Sequence, residues 1–242
     1  MMEELELYCK KLRLGREILE EFEDIEFINN KDFLTQILKK SYQNLEIRRK
    51  NRRIRDAKFE ILKTFENFDS KELDLPETLN LHKLKTGSFI EKNENLIFYG
   101  GSGRGKTHLA TAIGFEACNH GKSVRFFKVP TLISELLEAR ETGNLGKYLK
   151  KLKKFDLIIL DELGYVPLGE RGAELFFQVI ADCYERKSLI ITTNIEFSKW
   201  VGIFMDKKIT TAILDRIIHH GHVVIFTGSN YRMNNALSNV NS

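Results

Sequence analysis

Apolar positions along this 242-residue chain change their period about a third of the way in. From residue 3 to residue 66 they recur at helical spacing, with Leu45, Ile54, Phe59, Ile61 and Leu62 marking the later part. No glycine falls between Gly15 and Gly87 and no proline precedes Pro76, so this stretch predicts a run of helices. Residues 67–94, which contain Pro76 and Gly87, break the pattern and read as an irregular segment that wraps onto the next domain. From Asn95 onward, short apolar runs alternate with amphipathic stretches. Strands are predicted at 95–99, 123–129, 155–161, 188–193 and 223–226, and helices at 106–120, 131–142, a short one ending at Lys154, 171–186 and 210–219. Such alternation predicts an α/β domain, a parallel sheet covered by helices on both faces with its ligand at the carboxyl ends of the strands. The domains expected are therefore a small helical one at 1–66 and an α/β one at 67–242.

Three strand ends carry chemistry. The run Leu96-Ile-Phe-Tyr99 feeds Gly100-Gly-Ser-Gly-Arg-Gly-Lys-Thr107, a complete G-x-x-x-x-G-K-[ST] phosphate loop, with an amphipathic helix after it. Glycines let successive N–H groups converge on nucleotide phosphates, Lys106 reaches the β and γ oxygens, and Thr107 ligates Mg²⁺. The expected contacts to ATP are thus Gly100, Gly101, Ser102, Gly103, Arg104, Gly105, Lys106 and Thr107, followed by His108, which also reads as helix packing. The strand Phe155-Asp-Leu-Ile-Ile-Leu-Asp161 delivers a carboxylate that can hold Mg²⁺, and Glu162 lies one residue on, placed to orient or deprotonate water. Adjacent carboxylates in that position point to hydrolysis. A third strand ends Ile191-Thr-Thr-Asn194, whose amide could contact the γ-phosphate or the attacking water.

Charge changes the reading of the helical third. Residues 1–30 hold four Lys/Arg against nine Asp/Glu, whereas residues 31–63 hold eleven against four. Within the basic part, Arg48, Arg49, Lys50, Arg52, Arg53 and Arg55 place six cations in eight residues, suited to the phosphates of double-stranded DNA. A lysine cluster, Lys147, Lys150, Lys151, Lys153 and Lys154, reads either as a solvated helix face or as a second DNA contact. The dispersed cysteines Cys9, Cys118 and Cys183 are expected to be buried free thiols. His219, His220 and His222 cluster without a cysteine or carboxylate group beside them, which argues against a metal site. No window approaches twenty apolar residues and the first residues are acidic, so a cytoplasmic protein with no membrane contact is expected.

Gly-Lys-Thr-His-Leu-Ala (105–110), Leu-Asp-Glu-Leu-Gly-Tyr (160–165), Gly-Ala-Glu-Leu-Phe-Phe-Gln-Val-Ile (172–180), Ile-Thr-Thr-Asn (191–194) and Leu-Asp-Arg-Ile-Ile-His-His (214–220) together resemble the IstB family. Its members are AAA+ helper ATPases of bacterial insertion sequences, related to the DnaC helicase loaders. The resemblance covers about residues 31–233. It implies a P-loop AAA+ fold, Mg²⁺-dependent ATP hydrolysis, a homo-oligomer in which Arg216 is an arginine finger supplied in trans, and Arg232 as a second sensor arginine. It also implies a transposition helper that assembles on duplex DNA, remodels it and recruits the transposase of the same element. The alternative is a loader whose partner is a replicative helicase. Only 48 residues follow Asn194 (242 minus 194), so a full C-terminal helical lid does not fit. A small-molecule kinase shares the loop but leaves Asn194, Arg216 and the cationic helix without a role.

Overall fold

The computed structural model describes residues 2–15, 17–70, 73–228 and 230, and the chain divides into two units, Met1–Arg52 and Arg53–Ser242. The first holds helices α1 (Met2–Lys11) and α2 (Glu17–Glu21), a 3₁₀ turn (Phe22–Asp24) and most of α3 (Asn30–Ala57). The start of α3 is capped reciprocally. The Asn29 side chain accepts from the Asp32 N–H (3.0 Å), while the Asp32 carboxylate accepts from the Ile28 N–H (3.1 Å). Cys9, Ile18 and Ser41 are buried in this unit. The division falls inside α3, whereas the sequence pattern put it after residue 66.

The helical run expected as far as residue 66 stops at Ala57. Lys58 takes a left-handed backbone (φ 55°), and Phe59 leaves the helix axis to pack edge-on to Phe126, with ring centroids 6.4 Å apart. Phe59 also lies over Gly114, where an added Cβ would stand 2.9 Å from its ring. Burial of one aromatic ring thus outweighs one more helical turn, most of whose other side chains lie exposed, Ile61 and Leu62 among them.

The second unit continues with β1 (Leu73–Asp74), α4 (Leu81–Thr86), α5 (Ser88–Glu91), β2 (Asn95–Gly100), α6 (Lys106–Asn119), β3 (Val124–Lys128), α7 (Val129–Glu141), α8 (Leu145–Leu152) and β4 (Leu157–Leu163). It closes with α9 (Gly169–Cys183), β5 (Ser188–Thr193), α10 (Val201–Phe204), α11 (Lys207–His219) and β6 (Gly221–Phe226). The strands form one sheet in the order β1-β6-β2-β5-β4-β3, parallel except for β1, which pairs antiparallel with β6.

Successive residues of each inner strand point to opposite faces, and both faces are apolar. Ile97, Ile158, Leu160 and Ile191 pack against α7, α9 and α11. Leu96, Phe98, Ile159 and Ile190 pack against α6, α4 and the segment after α3. That is why these strands read as continuous apolar runs. Cys9, Cys118 and Cys183 are buried free thiols, and burial pushes the thiols of Cys118 and Cys183 up to about 12. Among the described residues no helix is long and apolar enough to cross a membrane.

Trp200 anchors the core beneath α10. It is fully buried, donates from Nε1 to the Ile195 carbonyl (3.0 Å), and meets Phe197 at a tilt and Phe204 edge-on. Trp200→Ala is predicted to cost about 3–5 kcal/mol of stability, read as a lower urea midpoint with an unchanged slope.

Candidate nucleotide-binding site

Strand β2 ends at Gly100, against the end of β6. An added Cβ there would lie 2.6 Å from the Phe226 carbonyl oxygen, so only glycine lets the two strand ends close up. Gly105, immediately before α6, has φ 88°, a left-handed conformation that swings the chain from loop into helix. No side chain caps α6, and a helix N-terminus of this kind is suited to an anion. Lys106 Nζ donates to the carbonyls of Gly100 and Gly101, both at 2.7 Å, which holds its ammonium inside the curl of the loop.

The loop meets the sheet through Asp161. Thr107 Oγ1 donates to the Asp161 carboxylate at 2.9 and 3.1 Å, and Thr192 Oγ1 on β5 donates to Asp161 Oδ1 at 2.5 Å. Asp161 is 1% exposed. Burial pushes its carboxyl above the ordinary range, opposed by the two threonine hydroxyls and by the positive charge of Lys128. A buried carboxylate beside a threonine hydroxyl is a hard-oxygen donor set, and this pair fits Mg²⁺, which takes few protein ligands and keeps several waters.

Glu162 follows in a left-handed backbone (φ 62°), and its N–H donates to Thr192 Oγ1 at 3.0 Å. The β4–β5 register shifts between Leu160 and Leu163, so the strand bulges where its two acids sit. The Glu162 carboxylate lies 3.6 Å from Lys128 Nζ at the end of β3, and Lys128 also pairs with Glu60 at 3.1 Å. The hydrogen bond to Glu60, ahead of the nearby charges of Glu162 and Asp161, raises the Lys128 ammonium pKa.

These groups open onto a cavity of about 700 Å³. Ser102 to Thr107, Asp161, Glu162 and Lys128 line one part of it; Phe68, Asp69 and Leu73 line another. His108 joins the two parts, its Nε2 2.9 Å from the Thr64 carbonyl and its ring 5.4 Å from that of Phe68. Its ring is thus packed in place while the residue also lines the cavity, an arrangement compatible with both of its expected roles. Ser102 Oγ lies 3.3 Å from the Tyr165 hydroxyl. Arg104 turns from the loop to the end of β6, donating to the Phe226 carbonyl at 3.0 Å. Its side chain thereby ties the loop to the last strand, while the residue still lines the cavity.

Other expected residues lie elsewhere. Asn194, one residue beyond the end of β5 at Thr193, is exposed and is not among the residues lining the cavity. Arg216 lies on α11 with its guanidinium over Phe177 and Tyr184. Arg232 lies outside the described residues. Arg48, Arg49, Arg52 and Arg55 are exposed on α3, with Arg49 paired to Glu46 at 2.7 Å. Arg53 differs, half-buried beside the Gly121 turn. Lys147, Lys150 and Lys151 on α8 and Lys153 and Lys154 just beyond it are all exposed, and Lys153 pairs with Asp182 at 2.9 Å.

The histidine cluster is not arranged as its spacing suggested. His222 turns to Thr78 and Glu94, while Glu185 stands beside His219 and His220 with ligand atoms within 4.8 Å of one another, so a carboxylate does join two of the three. The end of α9 and the end of α11 meet there, a proximity that spacing along the chain does not carry. Sequence reasoning also missed Lys128, Thr192, Glu60 and Phe68. The signal for Thr192 was present, since a threonine in an otherwise apolar buried strand needs a polar partner. The other three carried none.

Comparison with known proteins agrees with this geometry. The profile of the IstB-like ATP-binding protein family matches residues 17–239. An ATP-binding protein of insertion sequence IS232 from Bacillus thuringiensis subsp. berliner is 35% identical over 237 residues, covering 96% of this chain and 94% of that protein. Its counterpart from IS21 of Pseudomonas aeruginosa is 33% identical over 238 residues, covering 96% and 89%. Among solved structures, the DnaC helicase loader superposes with a TM-score of 0.54 at 25% identity, covering 67% of this chain and 96% of that one. AMPPCP-bound DnaA from Aquifex aeolicus gives 0.56 at 23% identity over 69% of this chain, which spans 50% of that structure, a likeness of fold alone. With a phosphate loop joined to a buried acid on an AAA+ sheet, and relatives matched over nearly their whole length, this chain belongs to the family of IstB-like ATP-binding proteins of insertion sequences.

Proposed function

We propose that this protein is an ATP-hydrolysing assembly factor that binds duplex DNA, remodels it and presents it to the transposase of its own insertion sequence. The junction of Thr107, Asp161 and Thr192, with Glu162 beside it, carries the reading. It puts a phosphate loop, a buried cation-binding carboxylate and a half-exposed second carboxylate at one end of one cavity. The amides of the loop and Lys106 bind the β and γ phosphates of ATP. Thr107 and Asp161 would hold Mg²⁺, which would supply positive charge to offset that of the phosphates. Glu162 accepts a proton from the water that attacks the γ-phosphorus, and ADP leaves with the bond to its β-phosphate oxygen broken.

Arg216 is not among the residues lining this cavity, which supports the reading of it as a finger supplied to a neighbouring copy; hydrolysis is then tied to assembly. The exposed face of Arg48, Arg49, Arg52 and Arg55 supplies contacts to the DNA backbone without base reading. The similarity to a DnaC helicase loader favours a second reading, in which the same ATPase serves a replicative helicase and holds single strands. Preference for duplex over single-stranded DNA separates the two.

Lys106→Ala is predicted to weaken ATP binding, whereas Glu162→Gln keeps ATP bound and lowers hydrolysis roughly a hundredfold to ten-thousandfold; fluorescent-nucleotide titration and phosphate release measure each. Hydrolysis that survives Glu162→Gln would reject this mechanism. For DNA, replacing Arg48, Arg49 and Arg52 with alanine should weaken duplex binding equally across sequences. The slope of log affinity against log salt should flatten by about one for each arginine that had neutralised a phosphate. An unchanged slope removes α3 from the interface.

A further inference from the structure

In the second unit Arg216, like Arg125, is held by an aromatic ring and a backbone carbonyl. Cations such as Lys122, Lys128 and Lys153 meet a carboxylate within 4 Å, but among the described residues no carboxylate pairs with Arg216. Its Nη1 donates to the Ala212 carbonyl one turn back on α11, at 2.8 Å. The guanidinium lies over two rings, 4.9 Å from the centroid of Phe177 on α9 and 5.9 Å from that of Tyr184 just beyond it. The rings are themselves fixed. Phe177 packs against the core, while the Tyr184 hydroxyl lies 2.8 Å from His219 Nδ1 and its ring stacks on His219 at 6.0 Å.

A carboxylate could hold an arginine in place only by neutralising it, and an incoming phosphate would then have to displace that partner. Aromatic faces hold the planar cation and leave its charge for another anion. We propose that Phe177 and Tyr184 are positioning residues, a shelf that fixes Arg216 in the orientation met by the triphosphate of a neighbouring copy. This rests on the reading that Arg216 acts in trans. The shelf and the cavity of one copy then serve different nucleotides, so damage to the shelf disables the donor of the finger and leaves the receiving site whole.

The test uses the full chain with ATP, Mg²⁺ and duplex DNA, comparing Phe177→Leu, Tyr184→Leu and Arg216→Ala. Leucine keeps apolar bulk and removes the ring face. Each leucine variant is expected to bind a fluorescent ATP analogue normally and to hydrolyse ATP about three- to thirtyfold more slowly. Neither should slow the Arg216→Ala protein further. Mixing either variant with Glu162→Gln subunits, which keep the shelf and Arg216 but cannot hydrolyse, should restore turnover at the variant's own intact sites. Two results would overturn the shelf: wild-type rates in both leucine variants, or a loss that mixing leaves in place while it restores Arg216→Ala. If mixing fails to restore Arg216→Ala itself, the trans reading falls, and the shelf with it.

Discussion

The buried carboxylate of Asp161 is the point on which the rest of the site hangs. Taking it out of water is costly, and the hydroxyls of Thr107 and Thr192 offset part of that cost while tying the first turn of α6, β4 and β5 together. Because Thr192 is spent on Asp161 and on the Glu162 N–H, the backbone after Asp161 turns left-handed and β4 bulges before it resumes pairing at Leu163. That bulge holds Glu162 at the cavity, half-exposed and next to Lys128, while Asp161 stays buried one residue away. Two neighbouring acids thus acquire different environments, one suited to a cation and the other to water.

Around this centre the fold adds clamps that act on the loop from outside. Arg104 fastens the loop to the last strand, and His108 fastens α6 to the segment that leaves α3. Phe59 and Phe68, both on that segment, reach the sheet unit through Phe126 and His108. The chain between the cationic helix and the α/β core is therefore part of the wall of the nucleotide cavity. Arg216 stands on the opposite principle, held by ring faces and left without a carboxylate among the described residues.

Much of this was legible in the chain. The phosphate loop, Asp161 with Glu162, and the five parallel strands follow from local patterns, because a glycine-rich turn and an apolar run act within a few residues of themselves. The N-terminal helices were legible too, except for their end. Helical spacing continues through Ile61 and Leu62, yet Phe59 finds a better place on Phe126 than on a helix face.

A nucleotide site on a parallel sheet, with a cationic helix ahead of it, could be read from the chain alone. Each of those properties is written in residues adjacent on the chain or one helical turn apart. The partners came from folding in three dimensions: Thr107 with Asp161, 54 residues apart, Thr192 with Asp161, 31 apart, and Arg104 with Phe226, 122 apart. Those pairings follow from the strand order β6-β2-β5-β4, which the period of apolar residues does not encode. Strand order is chosen by how whole faces of helices and sheet bury one another.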